Sequence, residues 1–166
     1  MGGDATFEDV LAANAAYVEQ FDRGGLKGSA ARGLAVLTCM DSRIDPLGML
    51  GLQPGDAKIL RNAGARVTPD VLRTLVLATY LLEVDRAMVV AHTDCRMAGG
   101  TEEDVHAAVR AAGGPDTRSM SFETTVDQRA TLLGDVQRIR SSPYLPNLAV
   151  GGFVYDVHSG RLEQVV

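Results

Sequence analysis

The sequence predicts an α/β fold in which a mainly parallel β-sheet is covered on both faces and flanked by helices. Three short apolar runs, bounded by glycine or polar residues, have the length and composition of buried strands; they lie at residues 34–37, 57–60 and 87–91. They alternate with segments whose apolar residues recur at helical spacing, which is typical of parallel sheets. Because 166 residues correspond to about one domain, we expect a single domain over residues 1–166.

Four helices are predicted around these strands. The first covers about residues 6–21, where five apolar side chains share one stripe: Phe7, Val10, Leu11, Val18 and Phe21. The second begins after Thr68, a favourable N-cap residue, and runs through Leu82. A third begins at the acidic stretch that follows Thr101, and a fourth covers about residues 123–140.

The C-terminal tail adds an antiparallel edge or hairpin to the predicted sheet. Two segments, 149–157 and 161–166, have strand composition and are joined by a His-Ser-Gly turn. His158, in that turn, is expected to be exposed. His106, which follows two glutamates on the third helix, is expected to be solvated as well.

Composition and charge exclude several classes of protein. The chain is 46% hydrophobic and 22% charged, which excludes a disordered chain. A net charge of −5 and only 5% aromatic residues argue against a nucleic-acid partner. Without a long apolar run or a secretory signal pattern, we expect no membrane partner and a cytoplasmic location. The two cysteines are then expected to be ligands, nucleophiles or core residues.

Polar clusters follow all three predicted parallel strands, at the edge where ligands bind in such sheets. The clusters are Cys39-Met40-Asp41-Ser42-Arg43, Arg61-Asn62-Ala63-Gly64 and His92-Thr93-Asp94-Cys95. Neighbouring strands lie ~4.8 Å apart, so these loops are able to converge. Two thiolates and one imidazole make a good set of zinc ligands. Three protein ligands also leave a fourth position for water, as in catalytic zinc sites.

The sequence therefore predicts a catalytic zinc site held by Cys39, His92 and Cys95. Such a zinc ion lowers the pKa of its bound water towards ~7 and supplies hydroxide at neutral pH. Asp41 either takes the fourth coordination position or accepts a hydrogen bond from the bound water. Arg43 lies within reach of Asp41, where it favours the ionised carboxylate and holds its geometry.

Two other interpretations of these residues are open. In a metal-free thiol enzyme, Cys39 is the nucleophile, His92 the base, and Asp41 or Asp94 the orienting group. That interpretation leaves the second cysteine and the arginine without a role. In a non-catalytic zinc domain, Asp41 keeps the site closed and the domain serves as a binding module.

The pattern Cys39-x-Asp41-x-Arg43 followed by His92-x-x-Cys95 resembles the signature of the β-class carbonic anhydrases. The Arg-Asn-Ala-Gly stretch between the two motifs is similar to that family as well. The long helix after it, the leading helix and the chain length agree too. The resemblance covers nearly the whole chain and is closest to the small bacterial and mycobacterial-type members.

This resemblance implies reversible hydration of carbon dioxide, a small-molecule substrate, to bicarbonate and a proton. It implies Zn²⁺ held by Cys39, His92 and Cys95, with Asp41 and Arg43 as the catalytic dyad. In some members the matching aspartate binds zinc and closes the site, whereas in the open form it pairs with the arginine. Relatives that hydrolyse carbonyl sulfide or carbon disulfide on the same zinc scaffold make those reactions the alternative.

The resemblance also implies a homodimer or a dimer of dimers. An N-terminal helical arm, residues 1–24, then reaches onto the partner subunit; the simpler interpretation is a helix that covers its own sheet. One residue departs from the family pattern, because Arg96 follows the second cysteine where glycine is usual. Arg96 is expected to point away, to make a new ion pair or anion contact at the cleft, or to alter the activity.

Overall fold

The computed structural model of the chain describes residues 6–166, so the first five residues of the predicted arm lie outside the described residues. One five-stranded sheet has the order β2-β1-β3-β4-β5; the strands are β1 (Leu34–Cys39), β2 (Ala57–Asn62), β3 (Arg86–His92), β4 (Ala149–Tyr155) and β5 (Leu162–Gln164). The first four strands are parallel and β5 is antiparallel to β4. The predicted fold class is confirmed.

The carboxyl ends of the strands extend further than the apolar runs predicted. Strands β1 and β2 each continue for two more residues, so that Cys39 pairs in register with Asn62. The polar Thr38 is accommodated in this buried strand because its hydroxyl donates to the carbonyl of Val90 on β3 at 3.2 Å. Cys39 and His92 are therefore the last residues of two adjacent strands.

The helices are α1 (Glu8–Val18), α2 (Pro69–Leu81), α3 (Glu102–Ala111) and α4 (Gln128–Arg140). The predicted cap of α2 is confirmed, because the Thr68 hydroxyl accepts from the amide of Val71. Helix α4 begins later than predicted. Glu123 has a φ of +57°, which interrupts a helix, and Asp127 caps the first turn by accepting from the amide of Ala130 at 2.9 Å. None of the helices in residues 6–166 is long and apolar enough to cross a bilayer.

The two faces of the sheet are covered differently. One face packs against α2 and α4 through apolar side chains such as Leu75 and Val136. The other face, which includes Val36 and Val90, packs against the connection between β1 and β2, including Leu52. This irregular connection begins at the end of β1, so it carries the first polar cluster along the carboxyl edge of the sheet.

Helix α1 buries none of its residues against the rest of the chain. Phe7, just before it, and Leu11, within it, are 70% and 67% exposed. The interpretation in which this helix covers its own sheet is therefore wrong. The apolar side chains of this segment are instead exposed at the surface of the chain.

Candidate functional site

The carboxyl ends of β1 and β3 bring the three predicted zinc ligands together. The donor atoms of Cys39, His92 and Cys95 all lie within 4.8 Å of one another. All three side chains are buried, and His92 is only 1% exposed. Two sulfur atoms and one imidazole nitrogen match the donor set that zinc prefers.

The imidazole of His92 is oriented for metal binding. Its Nδ1 lies 2.8 Å from the carbonyl oxygen of Thr93, which can only accept, so Nδ1 carries the proton. This leaves a lone pair on Nε2, an atom that is buried and has no hydrogen-bond partner within residues 6–166. An unpaired buried nitrogen is costly unless a ligand satisfies it. The donor set therefore fits a metal cation.

The two thiols shift each other's pKa in opposite directions. The pKa of Cys39 is lowered to about 3, because the Cys95 thiol donates a hydrogen bond to it. Burial opposes this shift, while the amides of Gly64 and Asp41 reinforce it. The same contact and burial raise the pKa of Cys95. A bound cation would replace the Cys95 proton as the charge partner of both sulfurs.

A tight turn after β2 supplies one of these amides. The N–H of Gly64 donates to Sγ of Cys39 at 3.4 Å. Gly64 has a φ of +79°, and a Cβ there would lie 3.3 Å from the Cβ of Met97, so glycine is the residue that fits. The side chain of Asn62 closes the turn by pairing with the amide and the carbonyl of Arg66, both at 2.8 Å.

Asp41 and Arg43 form a bidentate pair beside the cluster. Arg43 Nε donates to Oδ1 of Asp41 at 3.0 Å, and Nη2 donates to Oδ2 at 2.7 Å. These bonds, with a third from the Arg43 amide, hold the pKa of Asp41 well below its usual range. Oδ2 of Asp41 lies 4.0 Å from Nε2 of His92, so an ionised carboxylate lies close to the ligand atoms but beyond hydrogen-bond distance of that nitrogen.

Two residues to which sequence reasoning gave no individual role support the site. Arg61 donates to the carbonyl of Cys39 at 2.9 Å and to that of Asp41 at 2.6 Å, which fixes the loop after β1. Gln128, at the start of α4, donates to the carbonyl of His92 at 3.0 Å. Arg61 belonged to a predicted polar cluster at this edge. Gln128 had no such signal, since only the fold brings α4 to the end of β3.

The remaining candidates lie outside the cluster. His106 is buried, with Nδ1 2.9 Å from the hydroxyl of Thr117, because the chain after α3 folds back over that helix. The expectation of a solvated His106 is therefore wrong, whereas His158 is exposed as predicted. Arg96 is also exposed, and its backbone stays out of the left-handed region. In this loop it is Asp94 that has a positive φ, of +53°.

Comparisons with known proteins show which proteins this chain resembles. A family model described as "Carbonic anhydrase" matches residues 34–110. Beta-carbonic anhydrase 1 of Mycobacterium tuberculosis is 35% identical over 162 residues, which cover 95% of this chain and 96% of that protein. The carbon disulfide hydrolase of Acidianus sp. is 34% identical over 159 residues, which cover 80% of this chain and 77% of that protein.

Solved structures extend the likeness to three dimensions. The crystal structure of carbonic anhydrase from Streptococcus mutans superposes with a TM-score of 0.90 at 32% identity, covering 99% of this chain and 100% of that one. The likeness thus includes the strand ends and loops that carry the cysteine and histidine cluster. With identity that extends over nearly the whole length of the mycobacterial relative, the chain belongs to the β-carbonic anhydrase family.

Proposed function

We propose that the chain catalyses the reversible hydration of carbon dioxide to bicarbonate and a proton at a zinc ion held by Cys39, His92 and Cys95. The observation that carries this proposal is the convergence of their donor atoms within 4.8 Å. Zinc with three protein ligands lowers the pKa of bound water to about 7, which supplies a nucleophile at neutral pH. The buried cluster keeps bulk water from competing with these interactions.

Asp41 and Arg43 form the catalytic dyad in this proposal. Arg43 keeps Asp41 ionised and holds its carboxylate beside the ligand atoms. From there Asp41 accepts a hydrogen bond from the attacking water and orients its lone pair towards carbon dioxide. Because both carboxylate oxygens are engaged by Arg43, the contacts favour an open site over one closed by Asp41.

Hydrolysis of carbon disulfide or carbonyl sulfide is the second candidate function. Its support is the 34% identity to the carbon disulfide hydrolase of Acidianus sp.. All three substrates are small linear molecules with an electrophilic carbon, so the same donor set and the same dyad serve each reaction. Access to the site, rather than the chemistry of the cluster, then selects the substrate.

Stopped-flow measurement of carbon dioxide hydration between about pH 6.5 and 9 tests the proposal, with zinc content measured on the same protein purified without chelators. We expect about one zinc ion per chain and a rate that rises with pH as the bound water loses its proton. Protein without metal would overturn the zinc site and favour the thiol enzyme. Zinc-loaded protein that hydrolyses carbonyl sulfide but leaves carbon dioxide unchanged would favour the second candidate.

The proposal includes a homodimer, or a dimer of dimers, in the cytoplasm. Helix α1 supports the assembly, since Phe7 and Leu11 are exposed and none of the helix is buried within its own subunit. Two buried free thiols support a reducing compartment. Sedimentation should give a dimer or tetramer for the wild type, and Leu11→Asp should shift the distribution towards monomer. A monomeric wild type at micromolar concentration would contradict the assembly.

A further inference from the structure

The geometry points to Asp94 as a positioning residue that holds Arg43 in the orientation in which it donates two hydrogen bonds to Asp41. The inference rests on the proposed function, because it assigns a role within the same dyad. Asp94 lies between the histidine and the second cysteine of the cluster in the sequence. It acts through Arg43.

The guanidinium of Arg43 is shared between two loops. It makes two bonds to the Asp41 carboxylate, on the loop after β1. Its Nη1 donates to Oδ2 of Asp94 at 2.7 Å, and its Nη2 donates to the carbonyl oxygen of Asp94 at 3.0 Å, on the loop after β3. One planar group thus joins the loop that follows Cys39 to the loop that precedes Cys95.

The backbone of Asp94 makes this double contact possible. Its φ of +53° is a left-handed conformation, which aspartate adopts more readily than most residues with a side chain. In that conformation both its carbonyl and its carboxylate reach the same guanidinium. Strained backbone of this kind is found where the surrounding structure requires a particular orientation.

Asp94 matters because Arg43, which it holds in place, keeps the Asp41 carboxylate away from the ligand atoms. An exposed ion pair alone is worth little, and the side chains of Arg43 and Asp94 are 41% and 65% exposed. The planar guanidinium of Arg43, however, has partners on two loops and cannot rotate away from Asp41 without breaking its contacts to Asp94. Without the Asp94 carboxylate, Arg43 keeps only the carbonyl contact on this side and can release Asp41 more easily. Oδ2 of Asp41 is already 4.0 Å from Nε2 of His92. We expect the carboxylate then to enter the fourth coordination position more often.

Two substitutions separate the side chain from the backbone. Asp94→Gly keeps the left-handed conformation accessible and removes both carboxylate oxygens. Asp94→Asn also tolerates that conformation and keeps one acceptor oxygen, but it removes the charge. Asp116→Gly is the matched control, because Asp116 forms the same bidentate pair with Arg118 on the loop after α3.

The test combines zinc content, steady-state carbon dioxide hydration and the visible absorption of cobalt-substituted protein, which reports the ligands of the metal. We expect Asp94→Gly to lower kcat by about tenfold at unchanged zinc content and to alter the cobalt spectrum. Asp94→Asn should recover part of both, and Asp116→Gly should match the wild type. In an Asp41→Ala background, Asp94→Gly should have no further effect on kcat or on the spectrum.

Several results would overturn the inference. Wild-type kcat and cobalt spectrum in both Asp94 variants would show that Arg43 needs no second anchor. A fall in zinc content that accounts for the lost activity would make Asp94 a determinant of metal retention instead. An undiminished effect of Asp94→Gly in the Asp41→Ala background would show that Asp94 does not act through Asp41. If the wild type fails to hydrate carbon dioxide, the proposed function fails, while the cobalt spectra still decide the role of Asp94.

Discussion

The same local motif occurs in two regions of this molecule with different surroundings. Asp41 and Arg43 are joined by Nε–Oδ1 and Nη2–Oδ2 bonds of 3.0 and 2.7 Å. Asp116 and Arg118, on the loop after α3, are joined by the same two bonds at 3.0 and 2.6 Å. In both pairs the amide of the arginine also donates to the aspartate. An aspartate two residues before an arginine forms this turn in both places, whereas Asp127 caps α4 instead and Arg129 pairs with Glu163.

The surroundings separate the two pairs. The Asp41 side chain is 18% exposed and that of Asp116 is 59% exposed. The carboxylate of Asp41 lies 4.0 Å from Nε2 of His92, and Arg43 also donates a hydrogen bond to Asp94. The hydrogen-bonded pair by itself therefore does not distinguish the functional site from the exposed loop. Its place at the carboxyl edge of the sheet, beside a buried metal-binding cluster, is what gives it a catalytic role in the proposed function.

Removing a ligand of the cluster should have the largest effect, because without zinc there is no bound water for the Asp41–Arg43 pair to orient. Cys95→Ser should lower the zinc content from about one ion per chain to a small fraction of that and abolish carbon dioxide hydration. Zinc analysis and stopped-flow assays check this, with circular dichroism to confirm folding. A folded variant that keeps its zinc and its activity would remove Cys95 from the ligand set.

Removing the aspartate of each pair should give the clearest contrast between the two regions. Asp41→Ala should keep its zinc, since three ligands remain, and should lose about 10²–10⁴-fold in kcat/KM through loss of the oriented acceptor. Asp116→Ala should keep both zinc and activity. The measurement is carbon dioxide hydration at matched metal content. Equal activity in the two variants would show that the pair beside the cluster has no catalytic role.

Replacing the arginine of each pair should have a smaller effect. Lysine keeps the positive charge but cannot make two parallel bonds to one carboxylate. Arg43→Lys should therefore lower kcat by about tenfold, and Arg118→Lys should leave it unchanged. The same assay at several ionic strengths checks the comparison. A fully active Arg43→Lys would mean that charge alone, without the fixed orientation of the guanidinium, is sufficient.

The sheet and most of the helices were predictable because their signals are local. Apolar runs mark most of β1, β2 and β3, and the Thr68 cap marks the start of α2. The strand ends were not visible in hydrophobicity, because Thr38 and Cys39 complete β1 with a polar residue and a thiol. The late start of α4 depends on the left-handed backbone of Glu123, which residue type does not signal.

The ligand set was predictable because its chemistry is specific and its members follow strand ends. Its supporting contacts were not, since they join residues far apart in the chain. Arg43 meets Asp94 across 51 positions, and Gln128 meets His92 across 36. The burial of His106 has the same origin, since its partner Thr117 comes from a loop without a recognisable pattern. Such contacts arise from the packing of elements, which no single segment encodes.

The smallest expected effect concerns the lowered carboxyl pKa that the two pairs share. Hydrogen bonds from Arg118 hold the pKa of the Asp116 carboxyl well below its usual range, as Arg43 does for Asp41. A depressed pKa therefore does not by itself mark a functional site. Because the folded-state pKa lies below the unfolded value of about 3.9, the pair stabilises the fold above that pH and loses this contribution as the pH falls further.

Asp116→Asn removes the titrating group and should make the free energy of unfolding fall less steeply with decreasing pH below about 4 than in the wild type. Urea unfolding at stepped pH measures this slope, and carboxyl ¹³C NMR measures the titration of Asp116 directly. Because the pair is exposed, added salt should bring its pKa closer to the unfolded value. If Asp116 instead titrates at or above about 3.9, the turn does not hold its charge in solution, and the likeness between the two pairs ends at geometry.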